Sequence, residues 1–350
     1  METIEVRRHD RARVIHSDLD PIEDMLNLMS GLKSRGYVKE LLGDVHAFRS
    51  RAEIDKTASQ ISLHADIGLE LAEQAMGSRA ETSFLPLYYT CLDLSKIYLL
   101  FAGKRAQLAS NRLHGASYDG SQLRKNLLNQ TVKIHPRGTI SLTYATMLSR
   151  AIPVGGAEVS LQEIYSLISA ISAEYETICG QSMTFFEHRA VLVRDDKSGH
   201  YLQVSADMSF DPTSVRPKPS ELQAYPGLRT ISKRQEVPLY RTPRRKGSFD
   251  AVAQKLTGAI LRNLISDDAQ AGNWRLYCPI SSKTCVLNED LSILLAFFHM
   301  SNVVRYNPEH LHKIMDSKYW IVLMALRKHG YLRFLKLMWG HYQRESIEIN

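Results

Sequence analysis

Residues Phe84-Leu-Pro-Leu-Tyr-Tyr-Thr-Cys-Leu-Asp-Leu-Ser-Lys-Ile-Tyr-Leu-Leu-Phe-Ala102 form the longest apolar stretch of this 350-residue chain. Its length approaches that of a bilayer span, yet Pro86, Asp93 and Lys96 interrupt it, and two of these are charges near the middle that hydrocarbon would not solvate. The stretch therefore predicts a buried core helix opening at Ser83, in which Asp93 and Lys96, three residues apart, pair with each other. Upstream, Ile54, Ile61, Leu63, Ile67 and Leu71 keep a helical period over residues 53–76 before Gly77, which predicts a second long helix packed against the first.

Other helix starts carry their own capping chemistry. Asp20-Pro-Ile-Glu23 places a side-chain acceptor at the N-cap and Pro at the first helical position, predicting a helix from Pro21 toward Leu42 that weakens at Gly31 or Gly36. Ser160-Leu-Gln-Glu163 is a capping box ahead of Ile164, Leu167, Ile168 and Ile171, whose spacing gives one apolar face. Asn288-Glu-Asp290 opens a helix through Leu291, Leu294, Leu295 and Phe298, and Asn307-Pro-Glu309 repeats the Asn-cap before Leu311 and Ile314, so the last sixty residues read as helical. Between these parts, runs bounded by turn residues predict hairpins at Val132–Leu142, Phe185–Ser205 and Arg275–Leu287.

The segment Thr213–Asp250 differs from its surroundings. Nine Lys or Arg face three acidic residues there, so it carries +6 of the chain's net +7. With Pro212 just ahead of it, Pro217, Pro219, Pro226, Pro238 and Pro243 disfavour helix and central strand and leave extended, loop-like backbone. The expected fold is α+β: a predominantly helical single domain with small antiparallel β hairpins and a basic Pro-rich loop. Its parts are an N-terminal helical part (1–180), a β-hairpin region (181–290) containing the basic segment 213–250, and a C-terminal helical part (291–350) that shares the core of the first.

Composition excludes several functional classes. Cys91, Cys179, Cys278 and Cys285 have neither CxxC spacing nor a clustered His partner, and read as reduced thiols. Met1–Arg13 mixes acids and arginines with no apolar run behind it, which is unlike an export signal, so a cytoplasmic protein without membrane attachment is expected. Neither a phosphate-cradling Gly-x-x-x-x-Gly-Lys nor a Gly-x-Gly-x-x-Gly occurs, and no cofactor is implied. His310-Leu-His312 with Asp316 would not converge on a metal, because residues 310 and 312 lie on different faces of a helix. His114-Gly115, Ser117 and Asp119 read as a turn, with Gly115 and Gly120 supplying permissive backbone.

Two resemblances follow from short motifs. Ser83-Phe-Leu-Pro-Leu-Tyr-Tyr-Thr-Cys-Leu-Asp-Leu-Ser-Lys96, then His114-Gly115, and finally Ser301-Asn-Val-Val-Arg-Tyr-Asn-Pro308 resemble, in order and spacing, the signature elements of the YaaC-like protein family. That likeness implies one fold over most of the chain and carries no established activity. Separately, Arg305-Tyr-Asn-Pro-Glu-His310 is similar to the Arg-x4-His element of HEPN-type ribonucleases, in which an Arg would stabilise phosphate charge while a His moves a proton, without metal. The same kind of spacing recurs at Arg11/His16 and Arg194/His200, but only the Arg305 copy stands at a helix start in apolar context.

The basic segment supplies the leading functional candidate. Arg241, Arg244, Arg245 and Lys246, with Lys233 and Arg234 upstream and Tyr225 and Tyr240 nearby, offer phosphate-contacting cations and stacking rings on extended backbone. A second basic stretch, Arg327–Arg344, carries Tyr331, Phe334 and Trp339, which read as helix core. The sequence thus predicts non-catalytic binding of RNA or DNA or of an acidic protein partner, alone, as a homo-oligomer or within a larger assembly. The alternative is a metal-independent ribonuclease using Arg305 and His310.

Overall fold

The computed structural model describes residues 2–5, 11–15, 20–46, 48, 50–111, 113–181, 183, 185–195, 197–206, 229–232, 239–253, 256, 264–268, 273–277, 285 and 287–349. The protein is α+β and predominantly helical, with small antiparallel sheets, as its sequence predicts. Its contacts divide the chain into two compact units, one of residues 11–182 with 289–350 and the other of residues 1–10 with 183–288.

The larger unit is built on helices, in chain order α1 (Pro21–Ser30), α2 (Arg35–Glu40), α3 (Arg51–Gly77), α4 (Ala80–Phe101), α5 (Arg105–Ser110), α6 (Thr139–Leu148), α7 (Leu161–Tyr165), α8 (Ser172–Cys179), α9 (Glu289–Tyr306), α10 (Pro308–Met315), α11 (Tyr319–Ala325) and α12 (Tyr331–Gln343). The chain reverses at Ser78-Arg79, so α3 and α4 lie against each other, and α9 and α12 also pack on α4. Phe84, Leu87, Cys91, Leu94, Ile97, Leu99 and Leu100 of α4 are fully buried. Every residue of α9 from Glu289 to Ser301 is buried as well, the pattern of a helix enclosed on all sides. Each large apolar side chain so enclosed contributes roughly 1.5–3 kcal/mol.

Among the described residues, the charged side chains Asp93, Glu289 and Asp290 enter this core with partners. Asp93 receives His64 Nδ1 at 2.9 Å and Lys96 Nζ at 2.8 Å, so the anticipated Asp93–Lys96 pair forms and gains a third member from α3. Burial alone would raise the Asp93 carboxyl, but the hydrogen bonds from His64 and Lys96 outweigh it and hold the group below its ordinary value. At the start of α9, Glu289 accepts from the Ser169 amide at 2.8 Å and from the Ser169 hydroxyl through one oxygen, and from Arg333 Nε at 2.9 Å through the other. His341 Nε2 meets Asp290 at 3.1 Å.

Several expectations need correction. α4 begins at Ala80, not Ser83, whose hydroxyl donates to the Ala80 carbonyl and accepts from Arg327 Nε. The first helix gives way at Gly31, one of the two expected weak points, and instead of one weakened helix a second short one starts after Ser34, which caps it. Ser160 does cap α7 by accepting from the Glu163 amide at 3.2 Å, but α7 ends at Tyr165, and a short 3-10 turn precedes α8. Asn307 makes no side-chain cap to α10. Val132–Leu142 is not a hairpin, because its second half is the start of α6. Thr143 and Thr146 donate to the carbonyls of Thr139 and Leu142 within that helix, which accommodates β-branched residues that read as strand.

The larger unit also holds two small sheets. Strands β3 (Ala116–Tyr118), β4 (Thr131–Ile134) and β5 (Ala157–Ser160) pair antiparallel in that order, while β2 (Arg11–Ile15) and β12 (Glu345–Ile349) pair parallel. The smaller unit is a seven-stranded antiparallel sheet of β1 (Glu2–Glu5), β6 (Phe185–Arg194), β7 (Tyr201–Ala206), β8 (Arg229–Ser232), β9 (Leu239–Arg241), β10 (Leu264–Asp268) and β11 (Asn273–Tyr277). β6 and β7 form the expected hairpin. β11, where the hairpin expected over Arg275–Leu287 would begin, pairs with β10 on one side and β6 on the other, and most of the rest of that expected hairpin lies outside the described residues. The basic segment is not wholly a loop, since β8 and β9 lie within it.

Candidate functional site

Two groups of polar side chains stand out, one in each unit. In the smaller unit, the chain leaving β9 runs on beside the start of β7. Thr242 N donates to Leu202 O at 2.9 Å, and Arg245 and His200 exchange both backbone hydrogen bonds at 2.8 and 2.9 Å. This ladder fixes the backbone that carries Arg241, Arg244 and Arg245. His200, buried at the hairpin, accepts from the Asp195 amide through Nδ1 at 3.2 Å, which leaves its Nε2–H to donate to Gly247 O, also at 3.2 Å.

Above this frame the Arg241 and Arg244 guanidinium carbons stand 5.9 and 5.3 Å from the Tyr201 ring centroid. Arg194 stands 5.6 Å from the ring of Phe249 in the same way. Tyr201 is only 6% exposed, so its ring is a platform for guanidinium groups and not a surface on which a base could stack. Arg244 also contacts Asp195 at 3.3 Å. Hydrogen bonds from Ser198 and Lys197, with Arg244 adding to them, hold the Asp195 carboxyl down at about 2. Arg244, Arg245 and Lys246 are exposed, and Arg241 is partly so. Lys233, Arg234 and Tyr225 lie outside the described residues.

In the larger unit, His114-Gly115 sits where the chain enters β3. The carbonyls of Leu113 and His114 accept from the amides of Thr139 and Ile140, capping the N-terminus of α6. Gly115 (φ +92°) crosses Gly138 (φ +125°) so closely that a Cβ on Gly138 would lie 2.3 Å from the Gly115 Cα. The His-Gly pair is therefore a backbone crossing that only two glycines allow, and it fixes His114 against α4.

There, Tyr88 Oη lies 2.9 Å from His114 Nδ1, and the Tyr89 ring stands 5.9 Å from the imidazole, edge-on. Arg305, in the last turn of α9, donates to Tyr89 Oη at 3.2 Å. Burial, followed by Lys96 and Arg305, lowers the His114 pKa, and burial raises that of Tyr88. Three stretches far apart in sequence thus meet at His114.

A second relay runs beside it. Gln130 accepts through Oε1 from Tyr118 at 2.7 Å and from His299 Nε2 at 2.9 Å, and donates through Nε2 to the Lys125 carbonyl and to His310 Nε2 at 3.2 Å. Burial, reinforced by His310, drives the His299 pKa down to about 3, and burial, followed by Asp119, pushes Tyr118 up to about 12. Because Gln130 donates to Nε2 of His310, that nitrogen is an acceptor and the ring carries its proton on Nδ1. Arg305 and His310 are thus engaged with different partners, Tyr89 and Gln130 respectively.

Sequence reasoning about chemistry passed over Tyr88, Tyr89, Gln130, His299 and Tyr201. The first two lay within a recognisable motif but read as core. The others carry no local pattern, since their partners are distant in sequence. Tyr331, Phe334 and Trp339 are buried, as expected of helix core, and Arg333 beside them is the partner of Glu289. No helix among the described residues is long and apolar enough to cross a membrane.

Fold and site together define a helical protein carrying an antiparallel sheet with a cationic edge, and a compact aromatic, His and Arg cluster among the helices. The model of the YaaC-like protein family matches residues 31–338, and the chain belongs to that family. The match spans the three stretches that meet at His114. No curated protein and no solved structure matches the chain.

Proposed function

We propose that this protein is a cytoplasmic, non-catalytic binder of nucleic acid, acting alone or within a larger assembly, and that Arg241, Arg244, Arg245 and Lys246 contact the phosphate backbone. The observation that carries this reading is the pair of guanidinium groups held over Tyr201 by a backbone ladder. Held guanidinium forks lose less freedom on meeting a phosphate than free side chains would, and they match its geometry with two parallel hydrogen bonds. Because Tyr201 is covered by the arginines it orients, the contact would read phosphate and not base, giving little sequence preference.

The rival reading, RNA cleavage by Arg305 and His310, needs an imidazole nitrogen free to take a proton. The hydrogen bond from Gln130 occupies Nε2 of His310, and burial, with Lys313, lowers its pKa, so its geometry favours a structural role over general-base work. Fluorescence anisotropy of a labelled single-stranded RNA and of a DNA duplex tests the proposal. Wild type should bind both at low salt, and replacing the four cations with Gln should weaken binding at least tenfold while the fold is retained. Equal binding by wild type and variant would move the site elsewhere. Binding of labelled polyglutamate but of neither nucleic acid would favour an acidic protein partner instead.

A further inference from the structure

We infer that Tyr89, His114 and Arg305 form a second anion site, in the larger unit, that takes the phosphate of a mononucleotide with its base against Tyr306. The inference stands apart from the cationic ridge, which belongs to the other unit. It rests on where the protons must be. Tyr88 is 3% exposed, and His114 Nδ1 stands at hydrogen-bond distance from its hydroxyl. Were Nδ1 the donor, the buried Tyr88 proton would lack that acceptor, so Tyr88 donates and His114 carries its own proton on Nε2. The Nε2–H is left to donate outward from an exposed residue.

Tyr89 likewise has a proton to offer. Its oxygen accepts from Arg305 Nη1 at 3.2 Å, which leaves its own proton to give. Arg305 is exposed, and among the described residues it contacts Tyr89 and the ring of Tyr306, so the rest of its five-donor fork is uncommitted. A guanidinium, a phenol and an imidazole N–H are therefore gathered at one exposed place, and among the described residues no carboxylate hydrogen-bonds any of the three. The nearby Asp93 is already held by His64 and Lys96. Three such donors suit the oxygens of a phosphate monoester.

The base is assigned from Tyr306. Its ring is 64% exposed, and the Arg305 guanidinium carbon stands 5.4 Å from its centroid. A planar heterocycle stacking on this ring would keep its phosphate within reach of Arg305.

Isothermal titration of the full chain with AMP, adenosine and inorganic phosphate tests the site. AMP should bind, more tightly than phosphate, and adenosine should not. Arg305→Gln should weaken AMP at least tenfold. His114→Asn, which keeps an acceptor for Tyr88 but loses the outward N–H, should weaken it severalfold, and His114→Gln, which restores a donor there, should recover part of the loss. Tyr306→Ala should abolish the advantage of AMP over phosphate. Gln at Arg241 and Arg244 should leave AMP binding unchanged. AMP binding unaffected by Arg305→Gln, binding lost through the ridge substitutions, or no binding at millimolar AMP would overturn the site. Inorganic phosphate bound by wild type as tightly as AMP would overturn the nucleotide assignment.

Discussion

Lowering the pH from 7 to 5 should destabilise the protein through His299. This side chain is fully enclosed, with its Nε2–H given to Gln130, Tyr118 edge-on at 4.7 Å and His310 beyond the shared amide. Burial, reinforced by the like charge of His310, keeps it neutral down to about 3. In the unfolded chain it protonates near about 6.5. The folded value is the lower one, so the unfolded state takes up the proton first. The stability His299 contributes is therefore complete above the unfolded value and is lost as pH falls toward the folded one. At pH 5 the gap amounts to about 2 kcal/mol, against a few tenths at pH 7, using roughly 1.4 kcal/mol per pH unit. Urea unfolding at both pH values, for wild type and for His299→Gln, isolates this amount from the titration of other groups. Wild type should lose about 2 kcal/mol more than the variant between pH 7 and 5. Equal losses would show that His299 does not resist protonation, and the orientation assigned to Gln130 would fall with it.

Other substitutions probe the supports of the two sites. Gly138→Ala would force a side chain into a backbone region that costs of order 1–3 kcal/mol even before the clash with Gly115, so thermal unfolding should show a loss of at least about 3 kcal/mol. A neutral result would mean that the His-Gly crossing is looser than described. Glu289→Ala removes a partner of Arg333 and the side-chain acceptor of the Ser169 amide and should cost about 3 kcal/mol, whereas Glu289→Gln, which keeps an acceptor, should cost less. Denaturant titration that ranked the two variants in the opposite order would contradict the assigned pairing. Asp93, whose folded pKa is depressed, stabilises the protein above its unfolded value near about 3.9 and ceases to as pH falls through the folded value. Asp93→Asn should therefore flatten the stability profile below about pH 4, and an unchanged acid limb would argue that His64 and Lys96 do not hold it.

How much of this was legible in the sequence depended on the range of the interactions. Local rules worked where one residue acts on its neighbours. Asp20 accepts from the Ile22 amide with Pro21 at the first helical position, Ser160 accepts from the Glu163 amide, and Asp93 meets Lys96. Periodicity failed where burial is not one-sided. Leu161, Ile164, Leu167, Ile168 and Ile171 are all fully buried, so their spacing could not say whether one helix or three short turns carried them. It failed again over residues 139–143, where alternating Thr, Ile, Ser and Leu read as strand because the hydroxyls that return to the helix backbone leave no pattern. The parallel pairing of Arg11–Ile15 with Glu345–Ile349 joins the two ends of the chain and has no local signal.

The candidate sites divide along the same line. The charge concentration in residues 213–250 was plain from composition, and so was the identity of its cations. What composition could not supply was the ladder from His200 to Thr242 that orients them, or the burial of Tyr201 that changes an apparent stacking ring into a platform for arginine. His114 and Arg305 were visible as parts of motifs, but their convergence on Tyr89 depends on α4, α6 and α9 packing together.

The salt dependence of nucleic-acid binding tests the central claim most directly. With Arg241, Arg244, Arg245 and Lys246 each meeting one phosphate of a single strand, the logarithm of the association constant should fall against the logarithm of salt with a slope of about −3. Replacing Arg241 and Arg244 with Gln should make that slope shallower by about 1.4. A slope near zero in wild type, or one that the two substitutions leave unchanged, would contradict phosphate binding at this ridge.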